Sequence, residues 1–251
     1  MQRKALAAVV LAAGRGSRMQ SSLPKVLHPL SREPILSYVL KTVFELKPDR
    51  VVVVVGFDSR RVIAAFQGYD VQFVEQKEQM GTGHAVAQTK PLLEDFDGDV
   101  LILCGDMPFI KASTLKSLME RHRQTEAPCT LLVLQTGESK DFGRIIRNER
   151  GEIVEIVESL EAADYQKTVD EYNAGVYCFQ KDILFESVDR IDNKNSKAEY
   201  YLTDTIRVIV EKRLPVQSIQ TRDAEEIFGI NAAEDLKKAQ QILFKIQRSP
   251  C

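Results

Sequence analysis

The residues that could do chemistry gather in a few short stretches. The first is Leu11-Ala-Ala-Gly-Arg-Gly-Ser-Arg-Met19, a glycine-rich turn at the end of an apolar run, with Pro24-Lys25 close behind. Such a turn lets backbone N–H groups approach phosphate closely, and Arg18 and Lys25 add full charges that neutralise a triphosphate. A bare sharp turn would explain Gly14 and Gly16 but not the flanking cations. The better-known phosphate motifs fail on one residue. The dinucleotide fingerprint needs a small residue at position 19, and a P-loop counted from Gly14 needs glycine there; the chain has Met19. The second stretch, Gln76–Thr82, offers glutamine amides that can pair a donor and an acceptor with a pyrimidine edge, or form an ordinary solvated loop. The third is Asp106, just past the apolar run Val100–Leu103. Its carboxylate either projects into a crevice or makes an Asx-turn beside Pro108. His28, His84 and His122 show no nucleophile–base arrangement, and His84 reads as a structural or phosphate-near residue at a helix start.

These stretches need elements to hold them. Val9–Ala12, Val51–Val55, Val71–Val74 and Val100–Leu103 are short apolar runs, the pattern of strands covered on both faces. Helix-length segments lie between them: one opening at Pro34, then Asp58–Gln67 and Gly83–Leu93. This alternation predicts an α/β fold with a mainly parallel sheet between helices and its ligands beyond the carboxyl ends of the strands. Ala13–Ser22, Gln76–Thr82 and Gly105–Pro108 would then face one pocket. After Pro128 the strand-like segments Thr130–Gln135, Arg144–Arg147, Ile153–Val157 and Gly175–Phe179, with a hairpin turn at Asn148–Gly151, predict a strand-rich lobe over about residues 130–185. Glu199–Lys212 returns to helix and Val216–Ile219 to strand. Residues 230–251 form a closing helix with Leu236, Leu243 and Ile246 on one side, packed on its own domain or on another subunit of a homo-oligomer.

Composition narrows the function classes. The 251 residues carry 34 Lys plus Arg against 36 Asp plus Glu, a net charge of −2, which argues against a nucleic-acid binder. At 44% hydrophobic and 28% charged, the chain is neither disordered nor fibrous. The four cysteines are scattered with no metal-ligand spacing, as in a reduced cytoplasmic protein. Met1–Lys4 followed by Ala5–Ala13 has the outline of a signal peptide, but the apolar stretch runs straight into glycines, as a buried strand entering a phosphate loop does. No apolar run approaches the ~18 residues of a membrane span, so no membrane partner is expected.

The segment LAAGRGSRM…PKVLHPL resembles the nucleotide-sugar pyrophosphorylase superfamily, most closely the pyrophosphorylase domain of the bacterial N-acetylglucosamine-1-phosphate uridyltransferases. Further motifs follow in the same order: Gln76-Lys-Glu-Gln-Met-Gly-Thr-Gly-His-Ala85, Cys104-Gly-Asp-Met-Pro108, Asp141-Phe-Gly-Arg-Ile145, Ile156-Val-Glu158, Tyr172-Asn-Ala-Gly175, Glu199-Tyr-Tyr-Leu-Thr-Asp204 and Gly229-Ile-Asn231. The resemblance spans essentially the whole chain. It implies a three-layer αβα Rossmann-like, mainly parallel but mixed sheet of the nucleotide-diphospho-sugar transferase type, with a nucleotidyltransferase domain over 1–229. The implied reaction is Mg²⁺-dependent: UTP and N-acetylglucosamine 1-phosphate give UDP-N-acetylglucosamine, a cell-wall precursor, and pyrophosphate. The resemblance assigns Arg18, Lys25 and Asp106 to catalysis, and Leu11, Ala12, Ala13, Gly14, Lys25, Gln76, Gly81 and Thr82 to the nucleotide. It assigns Cys104, Gly105, Asp106, Gly143, Glu158, Asn173 and Asn231 to the sugar, and Asp106 with Asn231 to Mg²⁺. Asn231 could also cap the last helix.

The chain departs from the family pattern in places. Ser17 stands for the usual Thr, Cys104 for an aromatic or Thr, and Ser159–Ala163 for a Lys-Asp-Ala run. The hexapeptide repeats of the second, acetyltransferase half of bifunctional relatives are not found, so no β-helix domain and no acetyl-CoA-dependent activity is expected. Two rivals stay open at this point: a sister nucleotidyltransferase for another base or sugar phosphate, and a non-catalytic nucleotide-sugar-binding regulator.

Overall fold

The structure is a computed structural model describing residues 4–138 and 140–248. In chain order it runs β1 (Ala5–Ala12), the short ribbon β2 (Pro29–Leu30) and β3 (Glu33–Pro34), α1 (Ile35–Phe44), β4 (Arg50–Val55), α2 (Ser59–Phe66), β5 (Gln72–Glu75), α3 (Thr82–Ala87), β6 (Gly98–Cys104) and α4 (Ala112–Thr125). Then come β7 (Cys129–Gln135), β8 (Arg144–Arg147), β9 (Ile153–Val157), β10 (Glu171–Gln180), α5 (Lys181–Val188), α6 (Asp204–Glu211), β11 (Val216–Thr221) and α7 (Ala233–Arg248).

The main sheet has the order β11-β7-β10-β6-β1-β4-β5. β10 runs antiparallel to both neighbours, while the other pairs along this path are parallel. Alternation along the central strand explains the layers. Leu6, Ala8, Val10 and Ala12 pack with Leu36, Leu40, Phe66 and Leu118 of α1, α2 and α4. Ala7 and Val9 pack on the other face with Val86, Leu184 and Ile206 of α3, α5 and α6. Side chains of successive strand residues point to opposite faces, so a strand apolar at every position must sit inside such a sandwich.

β1 is bonded to β4 and β6 on its two sides, so Ala5–Ala12 is a core strand; Met1–Arg3, the start of the signal-peptide outline, lies outside the described residues. No helix among the described residues is long and apolar enough to cross a membrane.

Beyond Pro128 the arrangement differs from a self-contained lobe. β7 and β10 belong to the main sheet, and only the β8–β9 hairpin branches off, meeting β10 at Arg144 and Tyr172. The reason is burial: Ala174, Val176, Cys178 and Phe179 leave β10 apolar on both faces. The expected helix Gly83–Leu93 divides, because Pro91 removes an N–H and Lys90–Leu93 tightens to a 3-10 turn. Residues 230–248 join the same body: Ala239 and Ile242 of α7 pack with Met19, Leu30, Ile35 and Phe109, and Leu236 and Leu243 flank them. Ile246, expected on that stripe, is exposed.

At the opposite end of the sheet from the expected pocket, the buried Asp99 faces Lys4 at 2.7 Å, Arg123 at 3.1 Å and His122 at 3.5 Å. Burial pushes its carboxyl up, but the contacts with His122, Lys4 and Arg123 more than offset this and hold it at about 2, below the ordinary 3.8. A depressed carboxyl contributes stability that is complete above its ordinary value and is lost as the pH falls through about 2. Asp99→Ala is expected to cost ~3 kcal/mol at neutral pH, because it strands cations beside an emptied site. Urea denaturation checks this: the deficit should shrink toward pH 2, and a neutral-pH loss below ~1 kcal/mol contradicts it.

Candidate active site

The carboxyl ends of β1 and β6 carry the glycine-rich loop and Asp106 side by side, tied by the Gly105 N–H donating to the Leu11 carbonyl at 2.9 Å. Beyond Ala13 the chain turns through Gly16 at φ 63 into a 3-10 turn, Ser17–Met19, whose Met19 is anchored in the α7 cluster. A second 3-10 turn, Lys25–Leu27, follows Pro24. Gly16 lies against the Lys25 stem so closely that a Cβ there would fall 2.7 Å from Lys25 Cβ.

Here the Lys25 ammonium makes a contact bond to Asp106 Oδ2 and donates to Asn231 Oδ1 at 2.9 Å. Asn231 is held in turn by α7: Asp235 accepts from the Asn231 and Ala232 N–H groups at 2.9 and 2.8 Å. The Ile230 N–H donates to the Asp106 carbonyl at 3.0 Å, fixing the two oxygen-bearing residues to each other. Their side-chain oxygens converge on one cation, the ammonium, and could together hold a hard metal ion. No cluster of three His, Cys, Asp or Glu side chains suited to a metal occurs among the described residues. Two oxygens suit an ion that keeps waters and substrate phosphates as its other ligands.

The loop Gln76–Thr82 is strapped down from afar. Tyr200 N–H donates to Met80 O at 2.7 Å, Gly83 N–H to Tyr200 O at 2.8 Å, and Leu202 N–H to Thr82 Oγ1 at 3.0 Å. Glu199–Thr203 is therefore a strap, and the helix expected from Glu199 begins only at Asp204. Gln76 is buried, its Nε2 donating to Gly81 O at 2.9 Å and lying 3.1 Å from His84 Nδ1.

On the far side, Asn173 Nδ2 donates to the Tyr177 hydroxyl at 2.6 Å and its N–H to Gly143 O at 2.7 Å. Thr203 Oγ1 donates to Glu158 Oε1 at 2.9 Å. Burial raises the Glu158 carboxyl above its ordinary value, and the Thr203 hydrogen bond only partly counters it. Burial beside Asp106 likewise pushes the Cys104 thiol up to about 12, so it stays an uncharged lining group.

Residues 8–196 match the MobA-like NTP transferase domain family. The bifunctional protein GlmU of Desulfotalea psychrophila is 38% identical over 95% of this chain and 70% of its own length. The chain is a GlmU-type member of the MobA-like NTP transferase family. The GlmU proteins of Synechococcus sp. strain JA-3-3Ab and Geotalea uraniireducens are 42% and 41% identical over 97% and 95% of the chain. The chain spans only 38% and 52% of the length of those two relatives. Among solved structures, UDP-glucose pyrophosphorylase in complex with UDP-glucose shares the fold, with a TM-score of 0.74 at 18% identity over 96% of this chain and 99% of the other. The apo form of UDP-glucose pyrophosphorylase aligns at a TM-score of 0.75.

In this NTP transferase, a cavity of about 370 Å³ gathers Leu11, Thr82, Cys104 and Asp106 on one side and Gly143, Glu158, Asn173 and Asn231 on the other. Ala12 and Ala13 are buried behind it, as is Gly105, whose N–H holds Leu11. Gly14 and Arg18 stand exposed on the glycine-rich loop, and neither they nor Lys25, Gln76 and Gly81 line the cavity. Thr203, Tyr177 and Phe142 line it and were not expected from the sequence. Thr203 was signalled only by its place in Glu199–Asp204, which reads as helix.

Proposed function

We propose that this chain transfers a uridylyl group from UTP to N-acetyl-α-D-glucosamine 1-phosphate, giving UDP-N-acetylglucosamine and pyrophosphate, with Mg²⁺ as the divalent ion. The observation that carries this reading is the convergence, on one cavity, of two hard oxygen ligands (Asp106 and Asn231), both bonded by the Lys25 ammonium, and a polar wall suited to a sugar (Glu158 and Asn173). The GlmU likeness supports the choice of uridine and N-acetylglucosamine.

The sugar-phosphate oxygen attacks the α-phosphorus of UTP in line, and pyrophosphate departs. That oxygen is already anionic, so no general base is needed. The histidines agree: His84 is engaged with Gln76, and His122 is buried beside Asp99 at the other end of the sheet. Lys25 neutralises charge near the α-phosphate, the Gly14–Arg18 loop cradles the triphosphate, and Arg18 serves the departing pyrophosphate. When bound to Asp106 and Asn231, the divalent ion supplies further neutralisation of phosphate charge. Gln76, whose Nε2 is tied to the Gly81 carbonyl, accepts from uracil N3–H at its Oε1, and Leu11–Gly14 wrap base and ribose. Glu158 accepts from a sugar hydroxyl; Asn173, held by Tyr177, and the Gly143 backbone orient the sugar.

Glu158→Gln should raise KM for the sugar phosphate ~10–100-fold, the scale of a hydrogen bond to a charged group. Because the Glu158 carboxyl is raised, its charged form is lost earlier on acidification than an ordinary glutamate's. The wild-type KM should therefore rise as pH falls from neutral toward 5, and the Gln variant should not show that rise. Steady-state kinetics across pH test both. Equal KM in the two proteins would remove Glu158 from sugar recognition. Calorimetric titration tests the base: UTP should bind, CTP weakly, and equal binding would overturn the uridine assignment.

A further inference from the structure

We propose that Lys25 is a built-in counter-ion that closes the Asp106–Asn231 pair to free divalent cations and gives it up when a nucleoside triphosphate draws the ammonium away. This deepens the function proposed above and rests on its assignment of Asp106 and Asn231 as the divalent-ion ligands.

The geometry carries it. The ammonium bonds the two side-chain oxygens, Asp106 Oδ2 and Asn231 Oδ1, that a metal ion would use. The Lys25 and Asp106 side chains are only 12% and 15% exposed, so water screens their attraction weakly. The stem of Lys25 passes through the space that a side chain at Gly16 would fill, since a Cβ there would fall 2.7, 3.3 and 3.5 Å from Lys25 Cβ, Cγ and Cδ. Gly16 belongs to the phosphate loop itself. The long Lys25 side chain thus runs between the carboxylate and the loop on which the proposed triphosphate lies, and rotation about its methylenes moves the ammonium from one to the other.

Asp106 carries one negative charge, and the ammonium already balances it. A divalent ion arriving alone must displace the ammonium and leave it beside a dication with no anion to meet it. A triphosphate arriving first, or together with the ion, offers the ammonium a new and stronger partner. Ion and nucleotide then bind cooperatively, and the free protein holds divalent ions weakly. Deleting the positive charge should reverse this, which is unusual for a residue placed in a phosphate site.

The test is Mn²⁺ binding to the nucleotide-free chain, read from the electron paramagnetic resonance signal of free Mn²⁺. Lys25→Met should bind Mn²⁺ at least about tenfold more tightly than wild type, and Lys25→Gln should shift the same way. Lys25→Arg, which keeps the charge, should stay as weak as wild type. Adding Asp106→Asn to Lys25→Met should abolish the gain, which locates the ion. Equal or weaker Mn²⁺ binding by both neutral variants, with thermal melting showing them folded, overturns the proposal. A gain that survives Asp106→Asn overturns both the proposal and the metal assignment beneath it. Since no turnover is measured, a different preferred sugar or base would leave the Mn²⁺ result standing, so the two readings fail separately.

Discussion

Asp106→Ala is expected to lower turnover by ~10²–10³-fold or more without unfolding the chain, the scale for loss of one preorganised charge-stabilising group. Asp106 follows β6 at the point where the strand leaves the sheet, and its backbone is held independently of its carboxylate by the Ile230 N–H. Alanine keeps that backbone bond and removes only the charge that gathers Lys25 and, in the proposed reaction, the divalent ion. Lys25→Ala should fall in the same range, since it removes the other half of the pair. Single-turnover kinetics with saturating substrates check both. Activity within about tenfold of wild type, with unchanged melting behaviour, would remove these residues from the chemistry.

Gly81→Ala is expected to abolish useful nucleotide binding and to destabilise the chain by ~2–4 kcal/mol. Gly81 sits at φ 100, a region that L side chains rarely adopt. A Cβ there would fall 2.5 Å from the Tyr200 carbonyl oxygen and 2.9 Å from Tyr200 N. Both are backbone atoms of the strap, so relief means pulling the strap off the loop. That also releases Thr82 and the carbonyl to which Gln76 is anchored. Gly68→Ala is the control: nothing lies within 4 Å of its would-be Cβ, and no stability loss of that size is expected. Urea denaturation and UTP titration read the two effects. A Gly81→Ala protein as stable as the control and binding UTP normally would show that the strap does not shape the base loop.

The parts of this molecule legible in its sequence are those written in local pattern. β1, β4 and β6 announce themselves because a strand covered on both faces is a continuous apolar run. The glycine-rich loop is legible because glycines and cations stand at fixed short spacing, and Asp106 because it follows such a run directly. What was hidden depends on long-range contact. The Lys25–Asn231 bond joins positions 206 apart, and neither residue's neighbours hint at the other. Glu199–Thr203 looks helical, and only the partners it finds at Met80 and Thr82 turn it into a strap. α4 escaped notice because only Leu115, Leu118, Met119 and His122 of it are buried, within an otherwise polar segment. β10 looked like part of a separate lobe because no local feature tells a strand that enters the main sheet antiparallel from one that leaves it.

The proposed reaction is tested most directly by pyrophosphate release with Mg²⁺ across the four common nucleoside triphosphates and a small set of sugar 1-phosphates. Release is expected with UTP and N-acetylglucosamine 1-phosphate, and little with any other pair. Release with UTP but a different sugar would contradict the reading of Gly143, Glu158 and Asn173, beside which Ser159–Ala163 departs from the family pattern. Release that prefers CTP, or none with any pair despite measurable UTP binding, would contradict the central claim that this cavity transfers uridylyl groups.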